Sequence, residues 1–443
     1  MALTTIDFGR YFQEIERASP VQVRGRVKEV VGLVVRASLP QAFVGELCLI
    51  YNPRSRIPTK AEVVGFRGDD VLLMPIGELT NIGPQSDVEA TGNCLTVKVG
   101  HGLLGRVLNG VGDPIDADSA GPFVAAGEYP VYAPPPDALR RRRVNNPISV
   151  GVRAIDGLLT CGEGQRIGLF AAAGVGKSTL LGMIARNTEA DVNVIALVGE
   201  RGREVRDFLE QDLGAEGLRR SVVVCATSNE PSLVRLKAAY VGTAVAEYFR
   251  DRGKRVMLLM DSVTRFARAQ REIGLALGEP PARAGYTPSV FSELPKLLER
   301  SGNSDKGSIT AFYTVLVAGD DMNEPVADEV RSILDGHVIL SRDLAARGHY
   351  PAIDVLESIS RVMSSVVSQE HRRAAARMRE VLGTYEKNKD LILIGAYEKG
   401  SDPRVDYTLR MLDRVHDFLK QETQERAAMA DTADALRRLF ANG

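Results

Sequence analysis

The sequence has no excess of either charge, no long apolar run and few cysteines or histidines. Lysine plus arginine total 56 and aspartate plus glutamate total 57 among 443 residues, which gives a net charge of −1. This balance excludes a generally basic nucleic-acid binder. No stretch approaches the roughly 18 consecutive apolar residues of a membrane span, so we expect no helix that crosses a bilayer. The first seven residues lack the basic and apolar regions of a secretory signal, and we expect none.

The cysteines and histidines show no metal-binding or disulfide pattern. The four cysteines form no CxxC pair, and the five histidines have no zinc-ligand spacing. Scattered cysteines of this kind are typical of reduced thiols in an intracellular protein. The chain therefore predicts a cytoplasmic protein, and its length gives a prior of about three domains.

Short β-branched runs separated by turns fill residues 21–91 and predict a small closed β-barrel. The five clearest runs are Val21–Val27, Val30–Val35, Val44–Tyr51, Ala61–Phe66 and Val71–Met74. Arg67–Asp70 predicts a hairpin turn between the last two. Ahead of the barrel, an amphipathic helix pattern predicts either a helix docked on its own domain or a contact for a partner or a membrane surface. Its apolar residues are Phe8, Tyr11, Phe12 and Ile15.

Residues 123–146 form a linker by composition, with a proline cluster followed by four adjacent arginines, Arg140–Arg143. Those arginines either lie on a solvated face and pair with neighbouring groups, or bind phosphate or RNA. The first alternative is favoured because no aromatic residues are interleaved with them.

From Gly164 onward, apolar runs alternate with helical patterns, which predicts a doubly wound α/β core with parallel strands buried on both faces. The candidate strands are Arg166–Phe170, Val192–Val198, Ser221–Ala226, Val256–Met260 and Ile309–Val317, and the clearest helices are Ser178–Arg186 and Leu233–Phe249. A ligand is expected at the carboxyl ends of the strands.

After about residue 365 only helical patterns remain. Three apolar faces are predicted there, made by Ala374, Met378, Val381 and Tyr385, by Leu409, Leu412, His416 and Leu419, and by Met429, Ala433, Leu436 and Phe440.

A phosphate-binding loop is the strongest local signal. The segment from Ala171 to Thr179 follows an apolar strand and opens a helix, and it ends in Gly-Lys-Ser-Thr. The glycines let backbone N–H groups converge on phosphate oxygens, Lys177 would reach the β- and γ-phosphates, and the Ser178 hydroxyl would bind Mg²⁺. The usual first glycine is replaced by Ala171. The predicted nucleotide-binding residues of this loop are Ala173, Gly174, Val175, Gly176, Lys177, Ser178 and Thr179.

Two carboxylates follow apolar strands of the same core. Asp261 ends the run Val256–Met260, where a second Mg²⁺-holding group is needed. Glu200 ends the run that starts at Val192 and could polarise the attacking water, although an ordinary surface pair with a neighbouring arginine is an equal alternative from spacing alone.

Three longer strings resemble the type III protein secretion ATPases, relatives of the rotary ATP synthase catalytic subunit that serve flagellar and injectisome export. They are Gly199–Arg206, Gly278–Phe291 and Tyr350–Arg361. The resemblance covers almost the whole chain. It implies an α/β protein with a small N-terminal β-barrel (1–92), a central RecA-like P-loop ATPase domain with a mostly parallel sheet (93–364), and a C-terminal helical domain (365–443).

The resemblance also implies roles for single residues. Glu200 matches the catalytic glutamate, Arg201 the adjoining arginine near the phosphates, and Asp261 the Mg²⁺-site aspartate. Arg361 matches an arginine finger inserted by a neighbouring subunit, whereas surface pairing or helix capping is the alternative without the family. Tyr350 matches a tyrosine that packs on adenine, with plain core burial as the alternative. Arg265 matches an arginine near the site that could serve only as a brace.

The implied function is an ATP-hydrolysing motor, with ATP/ADP and Mg²⁺ as ligands, in a homohexamer at the cytoplasmic face of the inner membrane. It would release and unfold substrates from chaperones and pass them to an export gate. The C-terminal helices would meet chaperone–substrate complexes and a central stalk, and the N-terminal segment a stator-like regulator. No nucleic-acid partner is expected, and membrane contact is peripheral only.

Four alternatives remain open. Within the export family, the strings Leu159–Arg166 and Phe170–Gly174 look more like an injectisome, whereas Gly174–Gly176 and Asn187–Asp191 look at least as flagellar. An injectisome is favoured over a flagellar system. A rotary ATP synthase catalytic subunit is disfavoured by Gly278–Phe291 and Gly336–Arg361. An RNA translocase of the termination-factor type is disfavoured by the near-neutral charge. A regulatory subunit that does not hydrolyse nucleotide is disfavoured by glutamate at position 200.

Overall fold

The computed structural model describes residues 24–441 except 53–56, 80, 81, 85, 318 and 320, together with Phe8 and Phe12. Phe8 and Phe12 are helical and exposed, whereas Tyr11 and Ile15, the rest of the predicted amphipathic face, lie outside the described residues. The chain forms two compact units, residues 1–95 and 96–443. In the part of the chain that the structure describes, no helix combines the length and apolarity needed to cross a membrane.

The first unit contains a closed six-stranded antiparallel barrel, as predicted, with strand order β1-β2-β5-β4-β3-β6. Its strands are β1 (Arg24–Val31), β2 (Val34–Ser38), β3 (Glu46–Tyr51), β4 (Thr59–Arg67), β5 (Asp70–Pro75) and β6 (Asp87–Cys94). Alternate residues of these strands fill the barrel with valine, leucine and isoleucine. The predicted hairpin at Arg67–Asp70 is confirmed, since these two residues pair across the turn.

Two details of the barrel differ from the prediction. The first turn lies at Gly32-Leu33, where Gly32 has a φ of 57°, and not near Lys28, so β1 continues through the predicted break. Strand β6 was missed because its sequence, DVEATGNC, is mostly polar and only one of its residues is buried.

The second unit is built on a nine-stranded, mostly parallel sheet. The main order is β17-β16-β10-β15-β13-β11-β12-β8, and β14 pairs with β15. These strands are β8 (Val107–Asn109), β10 (Arg166–Ala171), β11 (Val192–Glu200), β12 (Ser221–Thr227), β13 (Arg255–Asp261), β14 (Gly302–Asn303), β15 (Ser308–Leu316), β16 (Gly336–Leu340) and β17 (Ile353–Ser360). All five predicted strands are present. Strands β14 and β17 run antiparallel to their neighbours, and four strands were missed because they are short or interrupted by polar residues.

Helices cover the sheet and form the C-terminal part of the unit. They are α1 (Ala117–Ala120), α2 (Arg153–Leu158), α3 (Lys177–Asn187), α4 (Gly202–Asp207), α5 (Gly214–Arg219), α6 (Ser232–Arg250), α7 (Val263–Ala276), α8 (Pro288–Leu298), α9 (Pro325–Ile333), α10 (Arg342–Ala346), α11 (Met363–Val366), α12 (Gln369–Leu393), α13 (Pro403–Leu419) and α14 (Met429–Leu439). A π-helical turn, Phe208–Leu213, joins α4 to α5. The α6 helix is buried along nearly its whole length against the sheet.

The predicted linker belongs to the second unit and is bonded to other parts of it. It contains strand β9 (Gly127–Pro130), which pairs with β7 (Thr96–Val99). The Arg141 guanidinium donates to the backbone carbonyls of Glu299 and Ser301, and Arg142 donates to that of Ser304 at 2.8 Å. The middle of the arginine run therefore fastens this segment to the protein, in agreement with the pairing alternative.

The C-terminal helices pack as predicted for α12, where Ala374, Met378 and Val381 are buried. The predicted face of α13 is wrong by about one residue. Its buried stripe is Val405, Thr408, Met411, Val415 and Phe418 with Leu419, whereas Leu409 is 36% exposed. Of the face predicted for α14, Leu436 is fully buried, Met429 and Ala433 are half-buried, and Phe440, just after the helix, is partly buried against the same hydrophobic core.

Candidate active site

The sheet order brings four strand ends together. Strands β10, β15, β13 and β11 are neighbours in this order, and their carboxyl ends lead into the predicted phosphate loop, Thr314, Asp261 and Glu200. Parallel sheets bind ligands at this edge because the connecting loops and helix N-termini converge there.

The phosphate loop has the backbone that its glycines allow. Gly174 and Gly176 have φ angles of 81° and 89°, in the left-handed region that side chains with a Cβ rarely adopt. Helix α3 begins directly after Gly176, so its free N–H groups point into the loop, as anion binding requires. Ala171, which replaces the usual first glycine, lies in the extended backbone of β10, where any residue fits.

Lys177, Glu200 and Asp261 meet in one nearly buried cluster. The Lys177 ammonium contacts Oδ1 of Asp261 and lies 3.5 Å from Oε1 of Glu200. The two carboxylate side chains are only 8% and 4% exposed, so their charges depend on this lysine for compensation. The Thr314 hydroxyl donates a second hydrogen bond to the same Asp261 oxygen at 2.7 Å.

Arg265, at the start of α7, holds Glu200 from the other side. Its guanidinium donates to Oε2 of Glu200 at 3.0 Å and to the Gly199 carbonyl. Burial and the nearby Asp261 charge nevertheless raise the pKa of Glu200 to about 7, opposed by Lys177 and Arg265. A hydrogen bond between the Glu200 and Glu204 side chains acts in the same direction on Glu200 and lowers the pKa of Glu204.

The oxygen donors beside the loop fit Mg²⁺. Ser178 follows Lys177 in the first turn of α3 and carries a hydroxyl, and Asp261 supplies a carboxylate; both are hard oxygen ligands. Among the described residues, no group of three or more His, Cys, Asp or Glu side chains could enclose a metal ion. One hydroxyl and one carboxylate suit Mg²⁺, which usually keeps several waters and binds through one or two carboxylates plus substrate phosphates.

A cavity of about 350 Å³ lies beside the loop. Its lining includes Gly174–Gly176 of the loop, Tyr350–Ala352, and Gln421 and Thr423. The Tyr350 ring faces the loop, since a Cβ on Gly176 would come within 3.6 Å of it, and Tyr350 is 46% exposed. The alternative of plain core burial for Tyr350 is wrong.

Sequence reasoning missed Gln421, which lines this cavity. The Gln421 N–H donates to the Tyr350 carbonyl at 2.9 Å, and its side-chain amide donates to the carbonyls of Gly151 and Glu425. Gln421 lies about 240 residues after the loop, and no local pattern marks it. Thr314 left no distinct signal either, because the same run also contains Thr310.

The structure does not bring Arg201 or Arg361 into the cluster. The Arg201 side chain is 73% exposed and pairs with Glu204 at 3.3 Å. Arg361 follows the end of β17, and its backbone N–H donates to the Asp335 carbonyl, while the Asp335 backbone N–H donates to the Arg166 carbonyl. Arg361 is thus level with Arg166, the first residue of β10, whereas the phosphate loop follows Ala171, the last residue of that strand. The two ends of β10 are about 17 Å apart along the strand.

Comparison with known proteins gives matches along most of the chain. Three family models match: the ATP synthase alpha/beta family β-barrel domain over residues 27–92, its nucleotide-binding domain over 151–360, and the type III secretion EscN ATPase C-terminal domain over 367–438.

Individual relatives match at high identity. The chain is 56% identical to the flagellum-specific ATP synthase of Bacillus subtilis, covering 97% of this chain and 98% of that protein. It is 55% identical to the type 3 secretion system ATPase of Xanthomonas euvesicatoria, covering 93% of each. The solved structure of the assembled ATPase EscN with its central stalk EscO, from enteropathogenic E. coli, is 46% identical with a TM-score of 0.87, covering 94% of this chain and 99% of that one.

Proposed function

Because the chain belongs to the ATP synthase alpha/beta family, and within it to the type III secretion and flagellar export ATPases, we propose that it is the ATP-hydrolysing motor of a bacterial protein export apparatus. The observation that carries this proposal is the cluster of Lys177, Glu200 and Asp261 beside the phosphate loop and the Tyr350 cavity. Such a cluster has the groups that phosphoryl transfer to water needs.

In the proposed reaction, the loop N–H groups and Lys177 hold the phosphates while the adenine ring packs on Tyr350. Glu200 accepts the proton of the attacking water, and Arg265 keeps this carboxylate in place through its 3.0 Å hydrogen bond. Lys177 would leave the carboxylates to reach the phosphates, which changes the charge around Glu200. Ser178 and Asp261 would hold Mg²⁺, whose charge helps to neutralise the phosphate oxygens.

We propose that Arg361 acts on the active site of a neighbouring copy. In its own chain it lies about 17 Å from the loop along β10, beyond the reach of an arginine side chain. Each copy carries both the Glu200 site and an Arg361, so a closed ring of identical subunits completes every site. The proposed assembly is a homohexamer, supported by the assembled state of the relative EscN. Arg201, which is exposed and close to Glu204, would turn toward the phosphates on nucleotide binding.

Partners are proposed from the family. The relative EscN binds a central stalk protein, and the C-terminal helices of this chain are proposed to meet a stalk and chaperone–substrate complexes. The N-terminal segment is proposed to meet a stator-like regulator, at the cytoplasmic face of the inner membrane. The domain limits 1–92, 93–364 and 365–443 belong to the same proposal.

The relatives do not separate an injectisome from a flagellar system, since one of each type has 55–56% identity. We propose an injectisome, supported by the strings Leu159–Arg166 and Phe170–Gly174. The neighbouring genes test this choice, because needle and translocator genes support it and hook and rod genes contradict it.

Stimulation of ATP hydrolysis tests the motor role. The purified chain is assayed alone, with single-stranded RNA, and with a chaperone–substrate complex encoded by the same genome, and Lys177→Ala serves as the inactive control. The proposal expects stimulation by the chaperone–substrate complex and none by RNA. Stimulation by RNA alone would instead identify an RNA translocase.

A further inference from the structure

Thr314 is a buried hydroxyl at the centre of the active-site edge. It is fully removed from solvent on β15, between the strand that leads to the phosphate loop and the strand that ends in Asp261. In the ladder, Thr314 pairs with Leu169 of β10. Met260 of β13 pairs with Tyr313, so Asp261 and Thr314 stand side by side at the next position.

The hydrogen bond from Thr314 has a defined direction and a defined target. Its Oγ1 donates to Oδ1 of Asp261 at 2.7 Å, the same oxygen that the Lys177 ammonium contacts. Within the described residues, both contacts recorded for this carboxylate use Oδ1. Neither Lys177 nor Thr314 uses the second oxygen, Oδ2.

We propose that Thr314 is a positioning residue for the Mg²⁺–nucleotide complex, acting through Asp261. This inference rests on the proposed role of Asp261 as a Mg²⁺-holding group. When Lys177 moves to the phosphates, Asp261 loses its cation but keeps the Thr314 hydrogen bond. The Thr314 hydroxyl thus holds the Asp261 carboxylate in one rotamer while Lys177 moves away. It also fixes which carboxylate oxygen faces the metal. A hydrogen bond from a residue that does not itself touch the metal orients a ligating carboxylate in this way.

The test compares Thr314→Val, which keeps the shape but removes the hydroxyl, with Thr314→Ser, which keeps the hydroxyl. The readout is the affinity for a fluorescent ADP analogue, titrated in excess Mg²⁺ and again in excess EDTA. Thr310→Val is the matched control: Thr310 is also fully buried on β15, but its hydroxyl accepts from the Gly164 N–H, away from the cluster.

We expect Thr314→Val to weaken binding about 10- to 100-fold in Mg²⁺ and to leave binding in EDTA unchanged. Thr314→Ser should restore most of the Mg²⁺-dependent affinity, and Thr310→Val should change neither titration. Equal affinities of Thr314→Val and the unmodified chain in Mg²⁺ would overturn the proposal, as would an equal loss in both titrations, which indicates general distortion.

The variant Asp261→Asn separates the positioning role of Thr314 from the proposed metal role of Asp261. If this variant loses Mg²⁺-dependent affinity while Thr314→Val does not, Asp261 acts without the threonine and only the present inference fails. If Asp261→Asn also leaves the Mg²⁺ titration unchanged, the proposed metal role of Asp261 fails, and the inference fails with it.

Discussion

At the scale of single residues, the charged side chains of the active-site cluster are almost completely buried. Two carboxylates share one lysine, and Arg265 adds a second cation on the far side of Glu200. Lys177, Glu200 and Asp261 could be predicted from sequence because each follows a local pattern, a loop or an apolar strand. Thr314, Gln421 and the contact of Arg265 with Glu200 could not, since these contacts join segments far apart in the chain.

The raised pKa of Glu200 predicts the pH dependence of the enzyme. A base must be deprotonated, so kcat/KM for ATP should rise with pH and reach half its maximum near pH 7. The value of kcat/KM reports the pKa of the free enzyme. A rising limb centred near the ordinary glutamate pKa would contradict this assignment.

The same pKa predicts the stability of Glu200→Gln. The folded state favours the protonated carboxyl, so this group's stabilising contribution is fully present below its ordinary pKa and is lost as pH rises through about 7. The amide of Glu200→Gln does not titrate, so this variant does not lose that stabilising contribution as the pH rises. The Tm of Glu200→Gln relative to the unmodified chain should therefore increase from mildly acidic to mildly alkaline pH, in thermal melts without nucleotide. A difference in Tm that is constant with pH would contradict the prediction.

At the scale of secondary-structure elements, the sequence was informative where burial makes patterns simple. The parallel strands β10, β11, β12, β13 and β15 are buried on both faces and appear as continuous apolar runs. Strands β16 and β17 were missed because polar or half-exposed residues interrupt them. In α13, two adjoining stripes are both apolar, and periodicity alone cannot tell which one faces the core.

Paired substitutions in α13 test the observed face. Met411→Ala should cost about 2–5 kcal/mol because Met411 is buried in the core. Leu409→Ala, at a 36% exposed position in the same helix, should cost about 0.5 kcal/mol. Denaturant midpoints of the two variants measure the difference, and a larger loss for Leu409→Ala than for Met411→Ala would mean that the helix packs on the face predicted from sequence.

At the scale of the whole molecule, the proposed role of Arg361 makes the active site of one chain incomplete. The sheet places the phosphate loop, Asp261 and Glu200 at one edge and Arg361 near the other, level with the start of β10. An arginine that neutralises transition-state charge is worth about 10³–10⁵ in rate in well-studied phosphoryl-transfer enzymes. The proposed function therefore depends on assembly, and turnover per subunit should rise with protein concentration as rings form.

Mixing two inactive variants tests this central claim most directly. Arg361→Ala keeps Glu200 but supplies no finger, and Glu200→Gln supplies the finger but has no base. Each variant alone should be nearly inactive while still forming rings.

In mixed rings, some boundaries pair an intact Glu200 with an intact Arg361 from the neighbouring copy. The account predicts that mixing restores part of the ATPase activity, in proportion to the fraction of such boundaries. Mixed rings that are shown to form but hydrolyse no ATP, or Arg361→Ala rings with undiminished turnover, would contradict it.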